Sequence, residues 1–119
     1  MLSKTVKVGD REVAFKSSAA IPRMYRIKFG RDIFKDLTRL EKSYKDKTGG
    51  NGEDFEIEDL EIFENVAYIM ALHADPASTP KTIDDWLDQF EMFSIYEILP
   101  EILELWGSNL FTDVKARKN

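Results

Sequence analysis

The chain has 119 residues, the length of one domain, and its 43% hydrophobic and 33% charged residues argue against both a disordered chain and a membrane protein. It has no cysteine, which removes disulfides, thiolate metal sites and thiol nucleophiles together. The net charge of −5 hides a division: residues 1–48 hold 13 Lys and Arg against 6 Asp and Glu, whereas residues 49–119 hold 4 against 16. Such a split suits a nucleic-acid face, an acidic docking face, or self-association of one copy's basic part with the next copy's acidic part. The plain alternative is two solvated charged faces.

"TVKVGDREVAFK" alternates on either side of Gly9-Asp10 and predicts a β-hairpin buried through Val6, Val8, Val13 and Phe15. The stretch "SSAAIPRMYRIKFG" predicts a short helix, with Ser17 or Ser18 as N-cap, Pro22 in the first turn and Gly30 as the stop. Asp32 then caps a second helix whose apolar positions are Ile33, Phe34, Leu37, Leu40 and Tyr44, and which fades into the Gly-rich residues 46–54.

From Ile57 to Ala74 the pattern is acidic at the start and apolar through "VAYIMAL", which marks a buried, central helix with Leu60, Phe63, Val66, Ala67, Ile69 and Met70 in the core. Thr82 and Asp85 read as a capping pair for "IDDWLDQF", and Ser94 with Glu97 as a capping box for "IYEILPEILELWG". Pro100 must kink or restart that last helix, and Gly107 ends it. The expected fold is mainly α (α+β): an N-terminal β-hairpin followed by about five helices in one compact domain over residues 1–112, with residues 113–119 as a flexible tail.

Catalytic patterns are scarce. His73 is the single histidine, no nucleophile elbow surrounds any serine, and a helical ExxH metal pair would need an acid where Met70 stands. In the last turn of its helix His73 suits the carbonyl dipole. Glu61 with Glu64 and Glu101 with Glu104 are carboxylates three apart, which read as the wet sides of amphipathic helices. The glycines of "TGGNGED" lack the GK[ST] of a phosphate loop. The expectation is a protein that is not an enzyme and takes no cofactor or metal. Its first residues, "MLSKTVKVGD", hold no export core, and no apolar run approaches ~18 residues, so a cytoplasmic protein is expected.

"IPRMYRIKFGRDIFKDL" has two physical readings. As a helix-turn-helix it would turn Arg23, Arg26, Lys28, Arg31, Lys35 and Arg39 to phosphates. Against this, "RDIFKDLTRLEK" has two aspartates and few polar side chains for base edges. The other reading is the packed start of a helical core.

The string "SSAAIPRMYRIKFGRDIFKDL" resembles the N-terminal signature of small tail assembly chaperones of long-tailed bacteriophages and prophages of Gram-positive bacteria, a variant of "xATPxxYRxxFGxDLLxDL". "SIYEILPEILELWGSNL" is similar to that family's C-terminal segment, and "ENVAYIMALHAD" lies in register between them, so the resemblance spans most of residues 1–112. It implies a non-enzymatic protein of the host bacterial cytoplasm. Such a chaperone binds the tape measure protein, keeps it soluble while the tail tube polymerises, and is absent from the finished virion.

The resemblance also implies a homo-oligomer and, in many members, a frameshifted longer form. Arg117-Lys118-Asn119 can be encoded by a slippery run. Tyr25, Phe29, Phe34, Trp86, Phe90, Phe93, Tyr96 and Trp106 are candidate anchors for a partner or another copy, because aromatic side chains carry disproportionate interface energy. Arg23, Arg26 and Arg31 match the motif and join them as candidate interface residues, while Gly30 and Gly107 read as helix stops. The alternative is a small helical adaptor or regulator, with nucleic-acid binding through the basic first half as one form.

Overall fold

The structure is a computed structural model that describes residues 2–46, 57–91 and 94–105. Two antiparallel strands, β1 (Leu2–Val8) and β2 (Arg11–Ser17), pair with Val6 opposite Val13 and Val8 opposite Arg11. Of the two loop residues only Gly9 takes a positive φ, 61°, the pattern of a type II′ turn that matches the twist of the strands. A side chain at Gly9 would also meet the Ser94 hydroxyl, whose Oγ lies 3.1 Å from the Cβ position. The hairpin turns Val6, Val8 and Phe15 inward; burial of a side chain like Phe15 stabilises by about 1.5–3 kcal/mol.

Helix α1 (Ala20–Phe29) starts one residue later than a Ser18 cap predicts, with Ala19 in the N-cap position. Ser18 still serves that end: its hydroxyl accepts the Ala20 N–H at 3.2 Å and its carbonyl the Ile21 N–H at 3.0 Å. Ser17 faces the core instead, fully buried, and its hydroxyl has no hydrogen-bond partner among the described residues. Gly30 closes α1 in the left-handed conformation, φ 67°, donating its N–H to the Arg26 carbonyl at 2.8 Å.

Helix α2 (Ile33–Asp46) is capped as expected: the Asp32 carboxylate accepts the Phe34 N–H at 2.9 Å. Ile33, Leu37 and Leu40 are buried, but Phe34 is 49% exposed, a correction to its place on the expected apolar stripe. The reason is angular. Ile33, Leu37 and Leu40 already form the inward i, i+4, i+7 line, and Phe34 lies one step, about 100°, round the helix from it.

Helix α3 (Ile57–Ala74) is the central element, packing on β2, α1, α2 and the short α4 (Ile83–Leu87). Ile62, Phe63 and the run Val66–Ala71 are buried, with Leu60 at the edge. Thr82 caps α4 through the Asp85 N–H at 3.2 Å, as the capping pair predicts. The helix is shorter than "IDDWLDQF": beyond Leu87 the bonds tighten to Gln89 N–H to Trp86 carbonyl and Phe90 N–H to Leu87 carbonyl.

Ser94–Ile98 forms a 3-10 turn in place of the first turn of an α-helix, and α5 follows at residues 99–105. Pro100 therefore lies in the first turn of α5, where its missing N–H costs nothing, and the helix restarts rather than kinks. The expected fold class holds: the described residues form one N-terminal hairpin and five helices around one core. The Gly-rich stretch, Gly107 and the tail at 113–119 lie outside the described residues.

Candidate protein-docking surface

The stretch that carries the motif folds into the corner between α1 and α2. There Tyr25, fully buried, donates its hydroxyl proton to Asp36 Oδ2 at 2.6 Å. Arg31 grips the same carboxylate with both prongs, Nε to Oδ2 at 2.7 Å and the terminal nitrogen to Oδ1 at 2.8 Å. Burial by itself would raise the Asp36 pKa; the hydrogen bonds from Arg31 and Tyr25, with the charges of Arg31 and Arg39, outweigh it and hold the carboxyl below its ordinary value. Burial and the bond to Asp36 together push the Tyr25 hydroxyl well up. The clasp joins α1, the Gly30 corner and α2.

Two large apolar side chains of α1 and α2 stay exposed while the Tyr25–Asp36 pair is buried. Ile27 is 68% exposed and Phe34 49%, and these two are the exposed large hydrophobic residues among those described. Beside Phe34 runs a groove of about 400 Å³ lined by Pro22, Arg26, Gly30, Arg31, Asp32 and Ile33. Arg26 in its lining is exposed, as are Arg23 on α1 and Lys35 on α2, and none of the three pairs with an acid among the described residues. A groove that combines Pro22, Ile33 and the half-exposed Phe34 with Arg26 and Arg31 is a candidate protein-contact surface.

The candidate aromatic residues scatter over the molecule. Tyr25 is sealed under the corner with Phe29 half-buried beside it, ring centres 5.1 Å apart. Trp86 is buried against Tyr68 at 5.6 Å and Phe90 at 5.1 Å, so it holds α4 to α3 and offers no surface. Tyr96 is half-buried, its hydroxyl donating to Glu64 at 2.5 Å; burial and that bond push its pKa up to about 12. Arg26, Arg31 and Phe34 are thus the candidates that line one groove, while Arg23 stands exposed on α1. Trp106 and Phe93 lie outside the described residues.

Two members of the corner escape a pattern-based reading. Ile27 sits four residues after Arg23 on the polar side of α1, where an isolated isoleucine carries no signal. Asp36 did have one: it interrupts the apolar line between Ile33, Leu37 and Leu40, and an acid on an inward face needs a buried partner.

The carboxylates three apart have structural uses. Glu101 and Glu104 both hold Lys4, tying β1 to α5, and Arg39 bridges to Glu58 and Asp59 at 3.1 Å each. His73 Nε2 lies 2.8 Å from the Ser18 hydroxyl, and burial, then the Lys16 charge, lower its pKa. It stands in the last turn of α3, as expected, beside Ser18. Among the described residues no three potential metal ligands gather, and no helix is long and apolar enough to cross a membrane.

Comparison with protein-family models, with curated proteins and with solved structures returned no match.

Proposed function

We propose that this chain is a non-enzymatic tail assembly chaperone that binds a tape measure protein in the host cytoplasm and keeps it soluble until tube subunits polymerise around it. The observation that carries the reading is the coincidence of motif and surface. The residues that resemble the family signature form both the Tyr25–Asp36–Arg31 clasp and the corner that presents Ile27 and Phe34.

A chaperone for a long helical rod must cover repeated apolar stripes, which calls for several copies of a small, stable domain with an adhesive surface. Nucleic-acid recognition is less well supported. Arg31 is committed to Asp36, Arg39 to Glu58 and Asp59, and Asp32 stands exposed on the face that would approach phosphates.

Co-expression with the long, coiled-coil-rich tape measure protein that this reading expects to be encoded downstream tests the proposal, with light scattering on the chromatographed complex. A soluble complex holding several copies per rod is expected. A rod left insoluble beside free chaperone would overturn the proposal.

A further inference from the structure

The groove beside Phe34 lies between two helices. Its walls belong to α1 and α2, which offer no strand edge, and its lining includes Gly30, where nothing lies within 4 Å of the Cβ position. A partner is therefore recognised by side chains. A helix, which satisfies its own backbone groups, enters such a groove at lower cost than an extended segment, whose N–H and C=O groups would find no ladder to join.

The lining is rich in hydrogen-bond donors. Arg31 gives Nε and one terminal nitrogen to Asp36, a two-pronged grip that fixes the plane of its guanidinium, and its remaining N–H groups meet no acceptor among the described residues. Arg26 is exposed and pairs with no acid among the described residues. Against these two guanidiniums the lining sets one carboxylate, Asp32, whose Oδ1 already accepts the Phe34 N–H. With Asp36 behind Arg31 the formal charges balance, so the groove presents unsatisfied N–H groups more than net charge. The chemical complement of two such guanidiniums is a carboxylate, which accepts paired N–H groups. Pro22 and Ile33 in the same lining call for an apolar side chain close to that acid.

We infer that the groove takes an amphipathic helix of a partner protein that carries a glutamate or aspartate one turn from a large apolar side chain, the carboxylate on Arg26 and Arg31 and the apolar side chain against Pro22 and Ile33. That this helix belongs to the tape measure protein rests on the function proposed above; the chemistry of the groove does not.

A model peptide tests the chemistry. A helical peptide of about 20 residues with capped ends, leucine and glutamate four apart along one face and alanine and glutamine elsewhere, is titrated into the isotope-labelled chain at about 0.1 M salt. The amide resonances that move should centre on Gly30, Arg31 and Ile33. Replacing the peptide's glutamates by glutamine should weaken binding at least about fivefold, and Arg26→Gln should weaken binding of the original peptide as much. Because both changes remove one contact, together they should cost little more than either alone. Arg23→Gln, on α1 but outside the lining, should stay within about twofold of wild type. Circular dichroism checks folding, and Arg26→Ala is the second variant at that position.

A peptide whose affinity ignores its glutamates, an Arg23→Gln loss equal to that of Arg26→Gln, or shifts centred elsewhere would each overturn the inference. So would the same resonances moving on simple dilution of the free chain, which would give the groove to a second copy. Co-expression with the tape measure protein separates the two proposals: a soluble wild-type complex that Arg26→Gln leaves undiminished would remove the groove and keep the chaperone, whereas peptide binding as expected beside an insoluble rod would keep the groove and remove the chaperone.

Discussion

The α1–α2 corner and the α3–α4 junction are built in opposite senses. At the junction the aromatic residues Tyr68, Trp86 and Phe90 stack inside, and Asp84, Asp85 and Asp88 stand outside. At the corner a tyrosine hydroxyl, a carboxylate and a guanidinium are fastened together beneath, while an isoleucine and a phenylalanine stand outside. A surface that only has to stay in water would follow the first plan. The second leaves part of two large apolar side chains on the surface.

The comparison can be broken most forcefully at the junction. Trp86→Ala removes the ring that joins α4 to α3 and leaves a cavity between Tyr68 and Phe90; a loss of about 3–5 kcal/mol is expected from urea unfolding. Asp36→Ala attacks the corner. It leaves the buried Tyr25 hydroxyl without its acceptor and frees the half-exposed Arg31, so about 2–3 kcal/mol is expected, below the Trp86 effect because Arg31 regains water.

Acid sharpens the same contrast. Because the Asp36 pKa is lower in the folded chain than its ordinary 3.8, its contribution to stability is complete above that value and is lost as pH falls through the depressed one. Urea midpoints followed from pH 5 downward should therefore fall more steeply for the wild type than for Asp36→Asn, whose midpoints lack this component at every pH.

Gly30→Ala comes next. Nothing lies within 4 Å of the Cβ position, so the cost is that of holding an alanine at φ 67°, about 1 kcal/mol. Phe34→Ser, at a side chain 49% exposed, should lower the unfolding free energy by about 1 kcal/mol or less. A loss of 2 kcal/mol or more there would mean that Phe34 serves the chain's own core and that the inverted construction is illusory.

Much of this was legible in order along the chain. Alternation around Gly9-Asp10 specified the hairpin, since a glycine that can take positive φ next to period-two valines leaves little else. The acidic start and all-round apolar middle of residues 57–74 specified a central buried helix, because such a segment must be covered on every side. The Thr82 cap and the Gly30 stop were equally local, each a matter of satisfying backbone groups within one turn. The charge division was also plain, and so was the motif to which the family resemblance attaches.

Contacts between segments far apart in the chain were not legible. That Lys4 is held by Glu101 and Glu104, and Glu64 by Tyr96, depends on packing that no local pattern encodes. So does the division of labour in the motif, where Tyr25 and Arg31 turn to Asp36 while Ile27 and Phe34 turn to water. By itself the sequence determined the elements, their caps and the sign of charge in each half, because those follow from backbone hydrogen bonds and side-chain periodicity over a few residues. Tertiary structure alone decided which charges cancel within the molecule and which remain on its surface, because a carboxylate and a cation pair only when the fold brings them within a few ångströms of each other.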